Sequence, residues 1–356
     1  MTLNALVVIV KRDMGKLRYI GSKARLVNKI IHNLGKPNGR ARFFDVFSGT
    51  GVVSRAALDL GWEVIANDHL KSASVMTAAR LLTQTEVSFR KLGGYSGAVG
   101  HLNMIPPREG YFFQEYAPSG RNQAGVRRLY FSNDNAGKID GIRSEIVRLK
   151  ELSAITPLEH TLLLGDLMEA VNQVANIAGT YGCFLRELTP AALRNLRLTC
   201  RSLPHKKHRW KVTTRDALDV KTKFDDVAYL DPPYTKRQYA AYYHILETIA
   251  CEDEPIVAGI TGLRPWKAKA SSFCYKTKAA AALDQLINQL VANRILISYS
   301  SDGHIAPERL RSIIQKYGTI KVHEYSGFGR YSPNKISRSN SNNMNLCEYV
   351  FDLRKS

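Results

Sequence analysis

Asp231-Pro232-Pro233-Tyr234 is the stretch whose residue types most narrowly limit the chemistry. It follows Val227–Leu230, an apolar run read as a strand. Open α/β sheets carry their sites at the carboxyl ends of such strands. An amine on an aromatic ring is a poor nucleophile because its lone pair is delocalised into the ring. Two acceptors held beside its N–H groups localise that pair. Asp231 supplies a carboxylate, and Pro232 a backbone carbonyl whose direction the rigid prolines fix. Tyr234 offers an aromatic face on which a flipped base can stack, worth roughly 1–3 kcal/mol per base.

Phe44-Asp45-Val46-Phe47-Ser48-Gly49-Thr50-Gly51 is the second such stretch. Glycines after a strand let the backbone approach a ligand, and the next helix turns its N-terminus toward it. Neither G-x-G-x-x-G nor a Gly-Lys-Ser/Thr phosphate loop is present, so a phosphate cradle is not expected. Asp68 lies 23 residues after Asp45 at the end of the next strand, where an acidic residue commonly binds ribose hydroxyls. Together these suit an adenosine-containing cofactor. Asp216, 15 residues before Asp231, has two open roles: a hydrogen bond to that cofactor's adenine, or the cap of a helix starting at Ala217.

The elements that must position these residues are legible in the periodicity. Leu26, Val27, Ile30, Ile31 and Leu34 recur at helical spacing before Gly35 and Pro37. A strand over 42–47, a turn over 48–51, a helix over 52–60 and a strand over 63–66 form a β-turn-α-β unit, the opening of a doubly wound sheet. Residues 91–141, rich in Gly, Asn, Pro and Tyr, predict turns and short strands rather than packed helices. Helical periodicity returns over 142–200, and 201–211 is a basic stretch. The α/β pattern resumes with Val212, strand 227–230, helices 239–249 and 279–292, strand 294–299, helix 307–317 and closing strands 319–325 and 348–353, with a polar loop over 337–343. The expected architecture is one α/β sheet built from both ends of the chain, with residues 76–210 a separate lobe.

Lys+Arg number 51 against 31 Asp+Glu, a net charge of +20. This points to a polyanion, nucleic acid before an anionic membrane surface. The five cysteines, Cys183, Cys200, Cys251, Cys274 and Cys347, are scattered with no C-x-x-C, so neither a disulfide framework nor a zinc cluster is expected, and reduced thiols suit a cytoplasmic protein. Leu6–Val10 is far short of the roughly 20 residues that span a bilayer. No membrane role is expected. Met14 opens the first motif, which leaves Met1 and Met14 both open as the start of translation; native protein beginning at Met1 or Thr2 would refute a start at Met14.

The segment Lys16-Leu17-Arg18-Tyr19-Ile20-Gly21-Ser22-Lys23 resembles the motif that opens Dam-like adenine-specific DNA methyltransferases. The order also matches: opening motif, Gly-rich loop, Asn67-Asp68, insertion, Asp216, then Asp-Pro-Pro-Tyr. The resemblance covers about 16–75 and 210–355 and implies a Rossmann-like fold with S-adenosylmethionine as methyl donor. Under it, Tyr19, Gly21 and Lys23 would hold the methionine moiety. Asp45, Phe47, Ser48, Gly49 and Gly51 would form the cofactor loop, and Asp68 would bind the ribose. Asp231, Pro232, Pro233 and Tyr234 would bind the target adenine. The family often carries an aromatic residue just after the acid near Asp216; here it is Ala217, which removes that stack.

The catalytic part is thus expected over 14–75 and 211–356, and DNA target recognition over 76–210. Arg121, Arg127 and Arg128 suit bidentate guanine contacts, and Lys206 and Lys207 suit the backbone. Tyr239, Tyr242 and Tyr243 either line the base channel or pack; His244 is expected to be structural rather than a base. No metal is required. The expected partner is duplex DNA, with a cognate restriction endonuclease implied by the resemblance, and the expected state is a monomer. RNA adenine methylation uses the same four-residue motif and remains the alternative. Cytosine N4 and protein glutamine methylation usually place Ser or Asn where Asp231 stands. A non-catalytic DNA-binding protein would leave the Gly-rich loop without a role.

Overall fold

The computed structural model describes residues 18–327 and 346–356. Met14, Lys16, Leu17, the run Leu6–Val10 and the polar loop 337–343 lie outside the described residues. Among the described residues seven strands form one sheet: β1 (Arg42–Asp45), β2 (Glu63–Asp68), β3 (Trp210–Thr214), β4 (Val227–Leu230), β5 (Arg294–Ser300), β6 (Gly318–Tyr325) and β7 (Glu348–Lys355). Their order across the sheet is β3-β2-β1-β4-β5-β7-β6. The first five run parallel to one another, whereas β7 runs antiparallel between β5 and β6. Every residue of β4 is buried, as a central parallel strand covered on both faces requires.

The helices that cover the sheet are α1 (Val27–Leu34), α2 (Val52–Asp59), α3 (Lys71–Leu81), α4 (Gly94–Met104), α5 (Tyr111–Tyr116), α6 (Asn133–Glu151), α7 (Pro157–Val174), α8 (Tyr239–Tyr242), α9 (His244–Cys251), α10 (Ala279–Gln289) and α11 (Pro307–Gln315). Strand alternation sorts the core. Phe43, Val227, Tyr229 and Leu296 meet α1 and α2 on one face, and Phe44, Ala228, Leu230 and Ile297 meet α10 and α11 on the other. The strand order reverses between β1 and β4, so their carboxyl ends flank the crevice in which open sheets bind ligands.

One sequence expectation is corrected. Residues 91–141 contain α4, α5 and the start of α6 rather than turns and short strands. Their glycines were read as turn formers, but in α6 they serve close packing. A Cβ on Gly141 would stand 2.5 Å from the Pro106 carbonyl oxygen. Phe112, Tyr116, Ile139, Ile142 and Ile146 are fully buried, and this burial overrides weak local propensity. The helices of 76–210 share one continuous core with α3 (Ala73, Val75, Met76, Ala79) and α9 (Ile245, Leu246, Ile249).

Candidate active site

The crevice is a cleft of about 940 Å³, counting the space open to solvent. It gathers Tyr19, Gly21, Lys23, Asp45, Phe47, Ser48, Gly49, Asp68, Asp216, Asp231 and Pro233 from segments far apart in sequence. Gly51 stands just behind it at the start of α2, with φ +75°, and a Cβ there would come 2.9 Å from the Thr77 Cα of α3. Only glycine permits both the turn and that approach.

The opening motif is clamped from behind. Arg18 donates to the carbonyls of Asn172, Ala175 and Ile177. The Ile20 N–H donates to Tyr243 Oη at 2.6 Å, and Tyr239 Oη donates to the Ile20 carbonyl at 3.1 Å. Tyr19 stacks on Tyr243 with ring centres 4.3 Å apart. Tyr239 therefore lines the cleft and braces the motif together, while Tyr242 packs against Gly182. His244 is fully buried, contacts the Tyr181 carbonyl, and burial pushes its pKa down to about 3. It is neutral and lies outside the cleft-lining set, as a structural residue would.

At the end of β1, Asp45 is 1% exposed and accepts from Ser54 Oγ at 2.6 Å through Oδ2, while its Oδ1 has no partner. Burial pushes its carboxyl up to about 7; Ser54 opposes this, and the Asp231 and Asp68 charges add to it. Asp68 accepts from the Gly49 and Leu70 N–H groups at 2.9 and 3.0 Å, tying the Gly-rich turn to β2. Burial raises its carboxyl to about 6 against those two bonds. Asp216 accepts from the Leu218 N–H at 2.9 Å, capping a single 3-10 turn, yet still lines the cleft. Both roles left open by the sequence are geometrically compatible.

At the end of β4, burial pushes the Asp231 carboxyl up to about 6, opposed by Lys23. Lys23 Nζ lies 3.1 Å from Asp231 Oδ1 and 3.4 Å from Glu348 Oε2, and 5.0 Å over the centre of the Tyr234 ring. Burial alone would lower the Lys23 pKa, but Asp231, Tyr234 and Glu348 outweigh it and raise it well above the ordinary value. The expected contact of Lys23 with the methionine moiety thus competes with this carboxylate pair. Nζ donates a hydrogen bond to Glu348 but is poorly angled toward Asp231, whose buried Oδ1 accepts none. Asp231 Oδ1 therefore stands beside an ammonium that is shared with Glu348.

Several lining residues carried no sequence signal. Lys269 Nζ donates to the His69 carbonyl at 3.1 Å, and Gln238 and Ser271 exchange a reciprocal pair of hydrogen bonds at 3.1 and 2.9 Å. Phe273 meets Phe47 edge-on at 5.2 Å. His69 turns two buried ring nitrogens without hydrogen-bond partners toward the cleft. Glu247 of α9 caps α3, accepting from the Lys71 and Ser72 N–H groups at 2.9 and 2.8 Å.

Among the expected DNA contacts, Arg121, Arg127, Lys206 and Lys207 are exposed. Arg128 is corrected. It is fully buried, ion-paired to Glu115 at 2.5 Å, and donates to the Glu115, Gly259 and Ile260 carbonyls. A guanidinium satisfied internally cannot read a base.

Among the described residues no group of three or more metal-ligating side chains occurs, and no helix is long and apolar enough to cross a membrane. The family described as D12 class N6 adenine-specific DNA methyltransferase matches residues 19–313. The chain is 32% identical over 351 residues to the type II methyltransferase M.FokI of Planomicrobium okeanokoites, covering 95% of this chain and 53% of that protein. It is 31% identical over 350 residues to the modification methylase StsI of Streptococcus sanguinis, covering 95% and 52%. It is 32% identical over 345 residues to the type II methyltransferase M.NlaIII of Neisseria lactamica, covering 96% and 100%. It thus spans about half the length of the first two relatives and all of the third. With its cleft at a sheet switch point and this match over most of its length, the chain belongs to the D12 class of N6 adenine-specific DNA methyltransferases.

Proposed function

We propose that this protein transfers a methyl group from S-adenosylmethionine to the N6 amine of a specific adenine in duplex DNA. The observation that carries the reading is the placing of Asp231, whose Oδ1 has no hydrogen-bond donor, with Pro233 in the lining of a cleft fed from both β1 and β4. The donor molecule fits the cleft's orphaned groups. Asp45 Oδ1 suits its ammonium, while Asp68, His69 and Asp216 suit its nucleoside end. When bound, it supplies an electrophilic methyl on a sulfonium.

The residues then orient and polarise. Asp231 and Pro232 accept the two amine hydrogens and so localise the lone pair on N6. Asp231, with its carboxyl near 6, is basic enough to hold the proton that the methylated amine loses. Tyr234, its ring beneath Lys23, stacks the extruded base, whose unstacking costs a few kcal/mol.

In this reading residues 76–210 recognise the target, with Arg121, Arg127, Lys206 and Lys207 exposed toward DNA. The net charge of +20 makes binding strongly salt-dependent. The modification names of the relatives favour a restriction-modification setting with a cognate endonuclease, and we infer a cytoplasmic monomer. The test is tritium transfer from labelled S-adenosylmethionine to duplex DNA and structured RNA in parallel. Label recovered as N6-methyladenine in DNA, and lost with Asp231→Ala, is the expected result; label in RNA alone would overturn the substrate.

A further inference from the structure

In the sequence Glu348 is only the first residue of a closing strand. In the fold it opens β7, opposite Ser300 at the carboxyl end of β5. Because β7 runs antiparallel, its first residue reaches the same sheet edge on which β1 and β4 end. There its carboxylate meets Lys23, 325 residues away in sequence. Lys23 is 7% exposed, so its ammonium must be satisfied internally. Two carboxylates face it, and the directed hydrogen bond goes to Glu348 at 3.4 Å although Asp231 Oδ1 is nearer at 3.1 Å. The ammonium therefore neutralises Asp231 from the side while leaving Oδ1 without a hydrogen bond.

We propose that Glu348 is a positioning residue for methyl transfer: it draws Lys23 Nζ off the lone pair of Asp231 Oδ1, keeping that acceptor open for the target amine. The proposal rests on Asp231 being the amine acceptor. Without Glu348, a buried ammonium left with one counter-charge re-aims onto Asp231, and the amine must displace it. Lys23 is thus needed near Asp231 and harmful directly on it; the second carboxylate sets the balance.

The experiment measures single-turnover methyl transfer to duplex DNA across pH 5–8, cofactor affinity by calorimetry, and thermal melting. The proteins are wild type, Glu348→Gln, Glu348→Asp, Lys23→Met and the double variant Glu348→Gln with Lys23→Met. Glu348→Gln should slow transfer by about tenfold or more, with cofactor affinity within about twofold of wild type. The acid limb of its rate profile should move to lower pH, because the Glu348 charge that helps raise the Asp231 carboxyl is gone. In the Lys23→Met background, Glu348→Gln should add no further loss, since there is no ammonium left to re-aim. Glu348→Asp keeps the charge at shorter reach and should fall between wild type and Gln, which preserves the test if the Gln variant does not fold. Wild-type rate and acid limb in Glu348→Gln, or in Glu348→Asp where that variant carries the test, would overturn the proposal. So would equal losses with and without Lys23. A wild-type chain that methylates no duplex overturns the functional reading beneath it, before any variant is compared.

Discussion

The charge state of Asp231 gives the sharpest handle on the proposed chemistry. Its burial places the carboxyl near 6, and the ionised form is both the stronger acceptor for the target amine and the form able to take its proton. The rate should therefore rise with pH. With a midpoint of about 6, one carboxylate in eleven is ionised at pH 5. Transfer should then run roughly tenfold below its plateau. A sulfonium beside Asp231 favours the ionised form, so the limb measured with saturating cofactor should fall at or just below that midpoint. Asp231→Asn keeps the shape and removes the charge, and should reduce the plateau by about 10²–10³, as loss of one preorganised electrostatic partner does elsewhere. It should also abolish the acid limb. The assay is single-turnover tritium transfer at saturating cofactor and DNA, which removes the binding contributions of Asp45 and Asp68. A flat profile between pH 5 and 8 would refute the assignment. So would a limb that survives in the Asn variant.

Four other expectations follow from the same geometry. Gly51→Ala forces a Cβ against Thr77 at φ +75° and should lower stability by about 1–3 kcal/mol, read as a drop in melting temperature together with weaker cofactor binding. Arg128→Met leaves Glu115 and three carbonyls without a buried donor. It should cost about 3–5 kcal/mol in denaturant unfolding while leaving the salt dependence of DNA binding unchanged. Lys206→Ala and Lys207→Ala should do the reverse, each reducing the slope of log affinity against log salt by about 1 with little change in melting. Asp45 binds its proton more tightly folded than unfolded, so its contribution to stability is present at acid pH and is lost as pH rises through about 7. Asp45→Asn should therefore raise the melting temperature of the free protein more at pH 8 than at pH 5; an equal shift at both would contradict the burial argument.

Much of the sheet was legible because parallel strands and their covering helices write strong local patterns. Val227–Leu230 is apolar throughout, and Val27, Ile30, Ile31 and Leu34 mark one helical face. The motifs at the ends of β1 and β4 were legible for the same reason: a short run next to a strand fixes its own place in the crevice. What was hidden depends on contacts between distant segments. Glu348 looks like any acidic residue at a strand start until the antiparallel insertion of β7 brings it beside Lys23. The reciprocal pairing of Gln238 with Ser271 likewise leaves no local trace. In residues 91–141 glycine gave the wrong signal, because its small size and its freedom in φ have the same appearance in a sequence. Arg128 misled similarly: composition counts a guanidinium without saying which way it faces.

The absence of a seam between residues 76–210 and the flanking segments has a bearing on how new specificities could arise. Ala73 and Val75 of α3 and Leu246 and Ile249 of α9 belong to the same packed interior as the helices of that lobe. A graft exchanging 76–210 alone between relatives would bring in half an interior and leave its complement behind, opening voids that cost several kcal/mol. Such chimaeras should express poorly unless α3 and α9 travel with the graft. Under the proposed recognition role of 76–210, lineages of this architecture are expected to change their target by substituting exposed side chains on a fixed interior, not by trading the lobe as a cassette.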